Sequence, residues 1–371
     1  MPNRIKDIIG IMEEKFPLWL AESWDNCGLQ IGSAEAVANR IMVALDMDEA
    51  ILDLAIEKNT DLIITHHPFF FKGIKSIDYS TPLGRMIQKS IRAGINVYSA
   101  HTNLDAAEQG LNQVLAELLG LGEIAPLYID KQEELYKLAV FVPATHTEAL
   151  REVINQAGAG HIGAYADYSF RVRGTGTFRP AEGCNPFIGE TGVLEEVDEY
   201  RLETVVYERD LQRIIKIMQE AHPYEEVAYD IYKLNNQGKI FSLGRKGCWP
   251  ESMSLQDCAE QVKSKLKLKN VRVVGDLKRS IKKVAVVSGS GASLIDEVIR
   301  QGIELFITGD LKYHEARDAE ARGLAVIDAG HQESEEIIVP YLCDLLQQEA
   351  KDKGLEFEVI AAYAPACIKN L

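Results

Sequence analysis

A β-α-β pattern that occurs twice, far apart in the chain, constrains the fold of this sequence more than any other feature. In the first part, strand-like runs at 40–46, 61–65 and 95–100 alternate with helix-like runs at 48–58 and 82–93. Alternating strand and helix periods are typical of a parallel sheet covered by helices. The sequence therefore predicts an α/β fold.

The same order of elements returns near the other end of the chain. Strand-like runs lie there at 282–288, 304–308 and 324–329, separated by helix-like runs at 292–301 and 314–323. Sliding DLIIT of the first part onto ELFIT of the second also superposes Val43 on Val286. We therefore predict two related α/β halves, 1–129 and 237–371, which together form one domain.

The segment between the halves, 130–236, has a different pattern. Its strand-like and helix-like runs follow the order β-α-β-β-α-β, which is typical of a ferredoxin-like α+β fold. The runs lie at 138–143, 148–157, 168–178, 200–207, 211–221 and 227–234. Glycine and proline in 179–198 predict a loop. We expect a third module that interrupts the two-half domain.

Charge and composition exclude several classes of protein. The chain has 40 Lys and Arg against 56 Asp and Glu, a net charge of −16, which disfavours binding to nucleic acid or anionic lipid. No apolar run is long enough to span a membrane, and charges interrupt the first apolar positions, so we expect a cytoplasmic protein. The six cysteines form no CxxC pair, so a metal would need histidine and carboxylate ligands.

Candidate metal ligands follow three of the predicted strands. Ligands gather at the carboxyl ends of strands in open α/β sheets. The candidates are His66, His67, Asp105, His331 and Glu335. Neighbouring residues of an extended chain point to opposite faces, so His66 and His67 suit two adjacent metals better than one. His331 and Glu335 are four residues apart, which aligns them on one face of a helix.

This ligand set predicts a dinuclear metal centre. Three imidazoles and two carboxylates suffice for two divalent ions per chain if a carboxylate bridges and water completes the coordination. Nitrogen and oxygen ligands without thiolate suit zinc, iron, manganese, cobalt or nickel and do not choose among them, and we expect zinc or iron. Water held between two such ions is acidified, so metal-bound hydroxide becomes available as a nucleophile near neutral pH.

Three further residues are candidates for proton transfer at this centre. His101 follows the strand at 95–100, Asp310 follows the strand at 304–308, and His314 lies four residues beyond Asp310. Asp310 corresponds to His67 when the two halves are superposed, so it is also a candidate to hold a ligand or to contact the substrate. Packing in a turn is the alternative interpretation of His101.

Three weaker motifs have a structural interpretation. Gly289 and Gly291 precede a predicted helix, where backbone N–H groups bind phosphate, but the missing third glycine of a dinucleotide motif favours a tight turn. The polar run at 22–32 is typical of a capping or Asx turn. The run HPYEE at 222–226 is interpreted as a helix-stop turn, with a minor metal or ligand contact as the alternative.

Several of these motifs resemble the signature blocks of the Nif-three-like family, the homologues of a type 2 GTP cyclohydrolase I. The blocks are SWDNCGLQIG at 23–32, DLIITHHPFFFKG at 61–73, SAHTNLDAAEQGLN at 99–112, FITGDLKYHEA at 306–316 and DAGHQESE at 328–335. The resemblance implies a dinuclear metal centre with all five candidate ligands in the family's positions. It also implies a homohexamer, and an insert similar to the PII and CutA fold, as in the long bacterial members.

Two functions follow from these features. The first is a metal-dependent hydrolase, similar to a GTP cyclohydrolase, that attacks a nucleotide-like or heterocyclic small molecule with metal-bound hydroxide. The second is a non-catalytic regulatory or scaffold protein, in which the metals hold the halves together and the PII-like insert senses a ligand or a partner. Turnover by variants of Glu335 distinguishes the two.

Overall fold

The computed structural model of the chain describes residues 3–365. Within this range the chain forms two compact units, Gln132–Ile240 and a second unit made of the residues on either side of it. Cys367 lies outside the described residues, and the five cysteines within them are free thiols. No helix in the described range is long and apolar enough to cross a membrane.

The first part of the chain alternates strands and helices as predicted. Its elements are α1 (Ile5–Lys15), β1 (Gly28–Ile31), β2 (Arg40–Ala44), α2 (Glu49–Glu57), β3 (Leu62–Thr65), α3 (Pro82–Ala93), β4 (Asn96–Ser99), α4 (Thr102–Ala106), α5 (Leu111–Leu118) and β5 (Gly122–Pro126). Side chains cap the N-termini of two of these helices. Asp48 accepts a hydrogen bond from a backbone N–H in the first turn of α2, and Thr81, which precedes Pro82, does the same for α3.

The unit Gln132–Ile240 holds a four-stranded antiparallel sheet and two helices. Its elements follow the short β6 (Lys131–Gln132) and are β7 (Leu135–Pro143), α6 (Thr147–Gln156), β8 (Ser169–Phe178), β9 (Glu195–Tyr207), α7 (Glu208–Ala221) and β10 (Tyr229–Leu234), before the short β11 (Ile240–Phe241). The strand order is β10-β7-β9-β8. Apolar residues of α6 and α7, among them Leu150, Ile154 and Ile214, pack with β7 and β9 in a core of their own.

The predicted loop at 179–198 is too long by four residues. β9 begins at Glu195, which pairs with Phe178 across the antiparallel ladder. The run 195–199 contains four acidic residues and only one apolar residue, Val197, so it has little of the composition that marks a strand. Pairing with β8 supplies the stability that the composition does not indicate.

The last part of the chain returns to strands alternating with helices. Its elements are β12 (Arg245–Ser254), α8 (Leu255–Leu266), β13 (Arg272–Val274), β14 (Ser280–Val286), α9 (Ile295–Arg300), β15 (Leu305–Thr308), α10 (Tyr313–Ala321), β16 (Ala325–Asp328), α11 (His331–Glu335), α12 (Ile338–Lys353) and β17 (Glu358–Ala361). One-turn 3-10 helices occur at Leu18–Leu20 and Ala292–Leu294.

Two sheets build the larger unit. The first has the order β1-β4-β3-β2-β17 and the second the order β13-β16-β15-β14-β12-β5. β2, β3 and β4 are parallel, as are β14, β15 and β16, which confirms the predicted parallel arrangement. β3, β4, β15 and β16 are buried along their whole length, as expected for parallel strands covered on both faces.

Each sheet takes an edge strand from the other part of the chain. β17, near the end of the described residues, pairs in parallel with β2, and β5 of the first part pairs with β12. α12, which belongs to the last part of the chain, also packs against the first sheet. Its residues Ile338, Leu342 and Leu346 recur on one helix face and lie in the core of that sheet. The two parts of the chain therefore fold as one interleaved unit.

Candidate metal centre

The candidate site residues lie at the carboxyl ends of the parallel strands. His66 and His67 follow β3, and His101 follows β4 in the first sheet. In the second sheet, Asp310 follows β15, and His331 is the first residue of α11 after β16. Parallel strands end at the same edge of a sheet, so both sheets bring these side chains to one place.

His66 is fully buried and held in one orientation. Its Nδ1 lies 3.0 Å from the carbonyl oxygen of Ala100, which only accepts hydrogen bonds, so Nδ1 carries the proton. In the neutral ring the lone pair is therefore on Nε2, which lies 3.7 Å from Asp105 Oδ1 and 3.8 Å from Glu335 Oε1. These two distances leave Nε2 without a hydrogen-bond partner.

A carboxylate orients each of His67 and His331 in the same manner. His67 Nδ1 lies 2.8 Å from Asp46 Oδ1, and His331 Nδ1 lies 2.7 Å from Asp310 Oδ2. Their Nε2 atoms are 3.4 Å apart and approach Glu335 Oε2 at 3.0 and 3.1 Å. Carboxylates bound to the second ring nitrogen are typical of metal-binding histidines, because they fix the tautomer and the ring plane.

Glu335 is the point on which the three imidazoles converge. It is 4% exposed, and its Oε1 faces His66 while its Oε2 faces His67 and His331. α11 aligns Glu335 with His331 one turn apart, and Gly330, at φ 88°, lets the chain turn from β16 into this helix.

The nitrogen and oxygen atoms of the site are better placed to bind a metal ion than to form hydrogen bonds with one another. His66 Nε2, Asp105 Oδ1 and Glu335 Oε2 are buried and form no hydrogen bond. Unpaired buried polar atoms are costly, so several in one place indicate a missing partner. Two groups have ligand atoms within 4.8 Å of one another, the first made of His66, His67 and His101 and the second of His67, His331 and Glu335. These groups are able to hold a metal ion.

The electrostatics of the metal-free site favour charged imidazoles. Burial alone would lower the pKa of His67, but the hydrogen bond with Asp46 and the nearby Glu335 carboxylate outweigh burial and raise it to about 10. Glu335 and Asp310 raise the pKa of His331 to about 9 against its burial. The pKa of Glu335 is well below its usual range, since the three imidazoles outweigh its own burial. Burial raises the pKa of Asp105.

His101 lies beside the imidazoles and is oriented by Asp25. Its ring centre is 5.1 Å from that of His66, and its Nδ1 lies 2.9 Å from Asp25 Oδ1. Burial would raise the pKa of Asp25, but hydrogen bonds from His101 and Thr102 outweigh it and lower the pKa. The exposed Trp24 packs edge-on to the His101 ring.

Asp310 and His314 differ in their relation to the site. Asp310 adopts a left-handed backbone conformation, φ 55°, and its carboxylate holds His331. His314 lies exposed in the first turn of α10, where its ring contacts Tyr313. His314 belongs to neither group of potential ligands among the described residues.

Two carboxylates of the site were not predicted. Asp46 ends the strand-like run 40–46, and its position at the same sheet edge as His67 was the signal that could have identified it. The polar run that contains Asp25 is typical of a capping or Asx turn. Asp25 does accept a backbone hydrogen bond from Asn26, but it also orients His101 from 76 residues away, which no local pattern indicates.

Gly289 and Gly291 form a tight turn whose N–H groups are already used. The Gly289 N–H donates to Ser334 Oγ, and the Gly291 N–H donates to Thr308 Oγ1, each at 2.9 Å. The phosphate-binding interpretation of these glycines is therefore not supported. Gly289 instead lies against the site, because a Cβ there would come within 2.0 Å of Glu335 Oε1.

The fold and the site define an α/β protein with histidine and glutamate groups able to hold a metal ion. The model of the family Duf34/NIF3 (NGG1p interacting factor 3) matches residues 3–365. The chain belongs to this family.

Two relatives and one solved structure match most or all of this chain. A protein of Halalkalibacterium halodurans named "GTP cyclohydrolase 1 type 2 homolog" is 43% identical over 96% of this chain and 95% of its own. A Bacillus subtilis protein of the same name is 45% identical over 88% of this chain and 87% of its own. The crystal structure of a Bacillus cereus protein related to NIF3 matches with a TM-score of 0.94 at 39% identity, covering 100% of both chains.

Proposed function

We propose that this protein is a metal-dependent hydrolase that holds two neighbouring divalent cations and acts on a nucleotide-like or heterocyclic small molecule. The observation that carries the proposal is the convergence of three imidazole Nε2 atoms on the two oxygens of one buried carboxylate, Glu335. Relatives named as homologues of a GTP cyclohydrolase support the substrate class.

The side chains divide naturally between two cation positions. His66, Asp105 and Glu335 Oε1 would hold one cation, and His67, His331 and Glu335 Oε2 would hold the other. Cations held there would act as Lewis acids and acidify a coordinated water, which is the chemistry that hydrolysis requires. Imidazole and carboxylate ligands suit zinc or iron, which are the metals that we propose.

His101 is the residue that we propose for proton transfer. Asp25 holds its Nδ1, so Nε2 is left to give or accept a proton beside the bound substrate. Asp310 would act by orienting His331. The exposed position of His314 and its contact with Tyr313 give a role in proton transfer less support.

We also propose that two related α/β halves, 1–129 and 237–371, form the metal-binding domain and that 130–236 is a ferredoxin-like insert similar to PII and CutA. The element order of the insert and its strand order β10-β7-β9-β8 support this interpretation. A cytoplasmic homohexamer is the assembly that we infer, and light scattering of the purified protein measures it.

The test combines metal analysis with turnover. Protein purified without added ions should contain two divalent ions per chain by mass spectrometry. Loaded with zinc, iron or manganese, it should hydrolyse GTP or a member of a nucleotide and heterocycle library. Glu335→Gln should abolish turnover and retain the circular dichroism spectrum, whereas Glu336→Gln, whose carboxylate pairs with Gln332, should behave as the parent.

Two results would contradict the proposal. Absence of turnover with every metal would favour the scaffold function, particularly if Glu335→Gln loses its fold or assembly together with its metal. Unchanged turnover in Glu335→Gln would show that the reaction occurs elsewhere in the protein.

A further inference from the structure

The unit Gln132–Ile240 contains a cavity of about 560 Å³ that the proposed hydrolase does not use. This volume lies within the range of roughly 300–1,000 Å³ that is usual for small-molecule sites. The cavity is bounded by the end of β8, the middle of β9, the loop that follows β8, and the segment 222–228 that follows α7.

Aromatic rings form the walls of this cavity. Phe178 and Tyr224 pack edge to face with ring centres 5.6 Å apart, and Phe187 lies 6.4 Å from Tyr224. Phe187 is 52% exposed, although a large apolar side chain is usually buried. The walls therefore offer flat apolar surfaces to a planar molecule.

A buried carboxylate lines the cavity between these rings. Glu199 of β9 is 7% exposed, and its Oε1 accepts a hydrogen bond of 2.9 Å from the Tyr224 hydroxyl. Among the described residues, no lysine or arginine pairs with Glu199. Burying an ionised carboxylate without a cation is costly, so the arrangement calls for a positively charged partner.

The surrounding chain is built to accommodate this carboxylate. A Cβ at Gly176 would come within 2.1 Å of Glu199 Oε2, so any larger residue there would displace the carboxylate from this position. His222 links the Tyr224 backbone to β7, because its Nδ1 accepts from Tyr224 N and its Nε2 donates to the Phe141 carbonyl. The HPYEE segment is therefore more than a helix stop, since it positions Tyr224 in the cavity wall.

The charges around the cavity select the sign of the ligand. Three carboxylates, those of Glu199, Glu225 and Glu226, line it together with one guanidinium, that of Arg179. Arg179 donates to the Gly192 carbonyl and Glu225 accepts from the Asn185 backbone N–H, which leaves both charges in place, so carboxylates outnumber the guanidinium in the lining. A surplus of carboxylates disfavours phosphates and other anions, and the faces of aromatic rings attract cations.

We propose that this cavity binds a small planar aromatic cation of the amidinium or aminopyridinium type. Its charged N–H groups donate to the Glu199 carboxylate, and its ring packs against Phe178, Phe187 and Tyr224. Planar N–H donors match a carboxylate in pairs, which gives such ligands both affinity and orientation.

Benzamidine is the probe for this site, with benzamide as its neutral counterpart of the same shape. Calorimetric titration of the full-length protein should show one benzamidine bound per chain and at least about tenfold weaker binding of benzamide. Glu199→Gln should weaken benzamidine binding by about tenfold or more. The matched control Glu220→Gln, an exposed carboxylate on α7, should leave it unchanged.

Three outcomes would overturn the proposal: no binding of benzamidine, equal binding of benzamide, or unaltered affinity in Glu199→Gln. Circular dichroism establishes whether Glu199→Gln folds. If it does not, Phe187→Ala decides, because this exposed ring leaves the core of the unit intact while removing one wall. Phe187→Ala should then weaken benzamidine binding, and unchanged affinity would contradict the proposed site.

Discussion

The Nε2 atoms of His67 and His331 lie 3.4 Å apart, although 264 positions separate the two residues along the chain. Each ring is fixed from behind by a carboxylate, Asp46 for His67 and Asp310 for His331. Both rings therefore direct their Nε2 atoms at one point before any ligand binds. Such preorganisation lowers the entropic cost of capturing a metal.

The carboxylates behind the rings should control metal affinity. Asp46→Asn and Asp310→Asn each keep the size of the side chain but remove the charge that orients an imidazole. Loss of such a partner typically weakens metal binding by about 10- to 100-fold. Competition with a chelator of known affinity measures the change.

Asp53→Asn is the control for these variants. Asp53 is an exposed carboxylate on α2 that contacts Lys89 on the surface, so its substitution should leave metal affinity unchanged. Equal affinities in Asp46→Asn, Asp310→Asn and Asp53→Asn would show that the imidazoles do not depend on their carboxylates.

Metal binding should release protons and strengthen as pH rises. The pKa values of about 10 for His67 and about 9 for His331 mean that both rings hold an additional proton at pH 7.5 in the metal-free protein. A cation needs the Nε2 lone pair, so it must displace these protons, about two per chain. Affinity should therefore increase from pH 6 towards pH 9.

Calorimetry in buffers of different ionisation enthalpy measures this release. The apparent binding enthalpy of chelator-treated protein should change in proportion to the buffer enthalpy at pH 7.5. A binding enthalpy independent of the buffer would contradict protonated imidazoles in the metal-free site. Glu335→Gln should reduce the release, because Glu335 is the largest cause of the raised pKa of His331.

The sequence predicts the positions of helices and strands better than it predicts which strands pair with each other. Strand and helix periods identify β2, β3, β14 and β15 because each contains at least three consecutive apolar residues. The sequence does not predict β17 and β5, because they are short, contain no fully buried residue and pair with the distant β2 and β12. Such pairings depend on tertiary contacts that periodicity does not record.

The same limit applies to the site. Residues at strand ends, such as His66 and His331, follow from the rule that ligands gather at the carboxyl edge of a sheet. The contact between Asp25 and His101 joins a turn to a different strand end, so only the folded chain reveals it. The Gly289 turn also contacts Glu335 through space, 46 positions away in the chain.

Arg245 should be a main determinant of stability in the larger unit. Its buried guanidinium donates to the carbonyl oxygens of Ala106, Ala107 and Ser242, and burial lowers its pKa to about 10, so it remains charged at pH 7. Lysine keeps the charge but cannot reach several carbonyls in one plane, and buried carbonyls lose their partners.

Arg245→Lys should therefore lower the free energy of unfolding by about 2 to 4 kcal/mol. Denaturant titration of metal-loaded protein measures the loss. Arg317→Lys, which alters an exposed pair with Glu320, is the control and should change the unfolding free energy by less than about 0.5 kcal/mol. Equal effects of the two substitutions would refute this role for Arg245.

Gly289 should be required for metal binding, for a reason separate from its backbone conformation. Its φ is 60°, and a Cβ would come within 2.0 Å of Glu335 Oε1 and 3.3 Å of His331 Nε2. Gly302 has a similar φ of 67° but no atom within 4 Å of its Cβ position. Gly302→Ala therefore measures the backbone cost alone, about 1 kcal/mol of unfolding free energy.

Gly289→Ala should have the same backbone cost and should also displace the Glu335 carboxylate. The variant should therefore fold but lose most of its bound metal, as measured by mass spectrometry, whereas Gly302→Ala should retain its metal. Equal metal content in the two variants would mean that Glu335 can move aside without loss of the site.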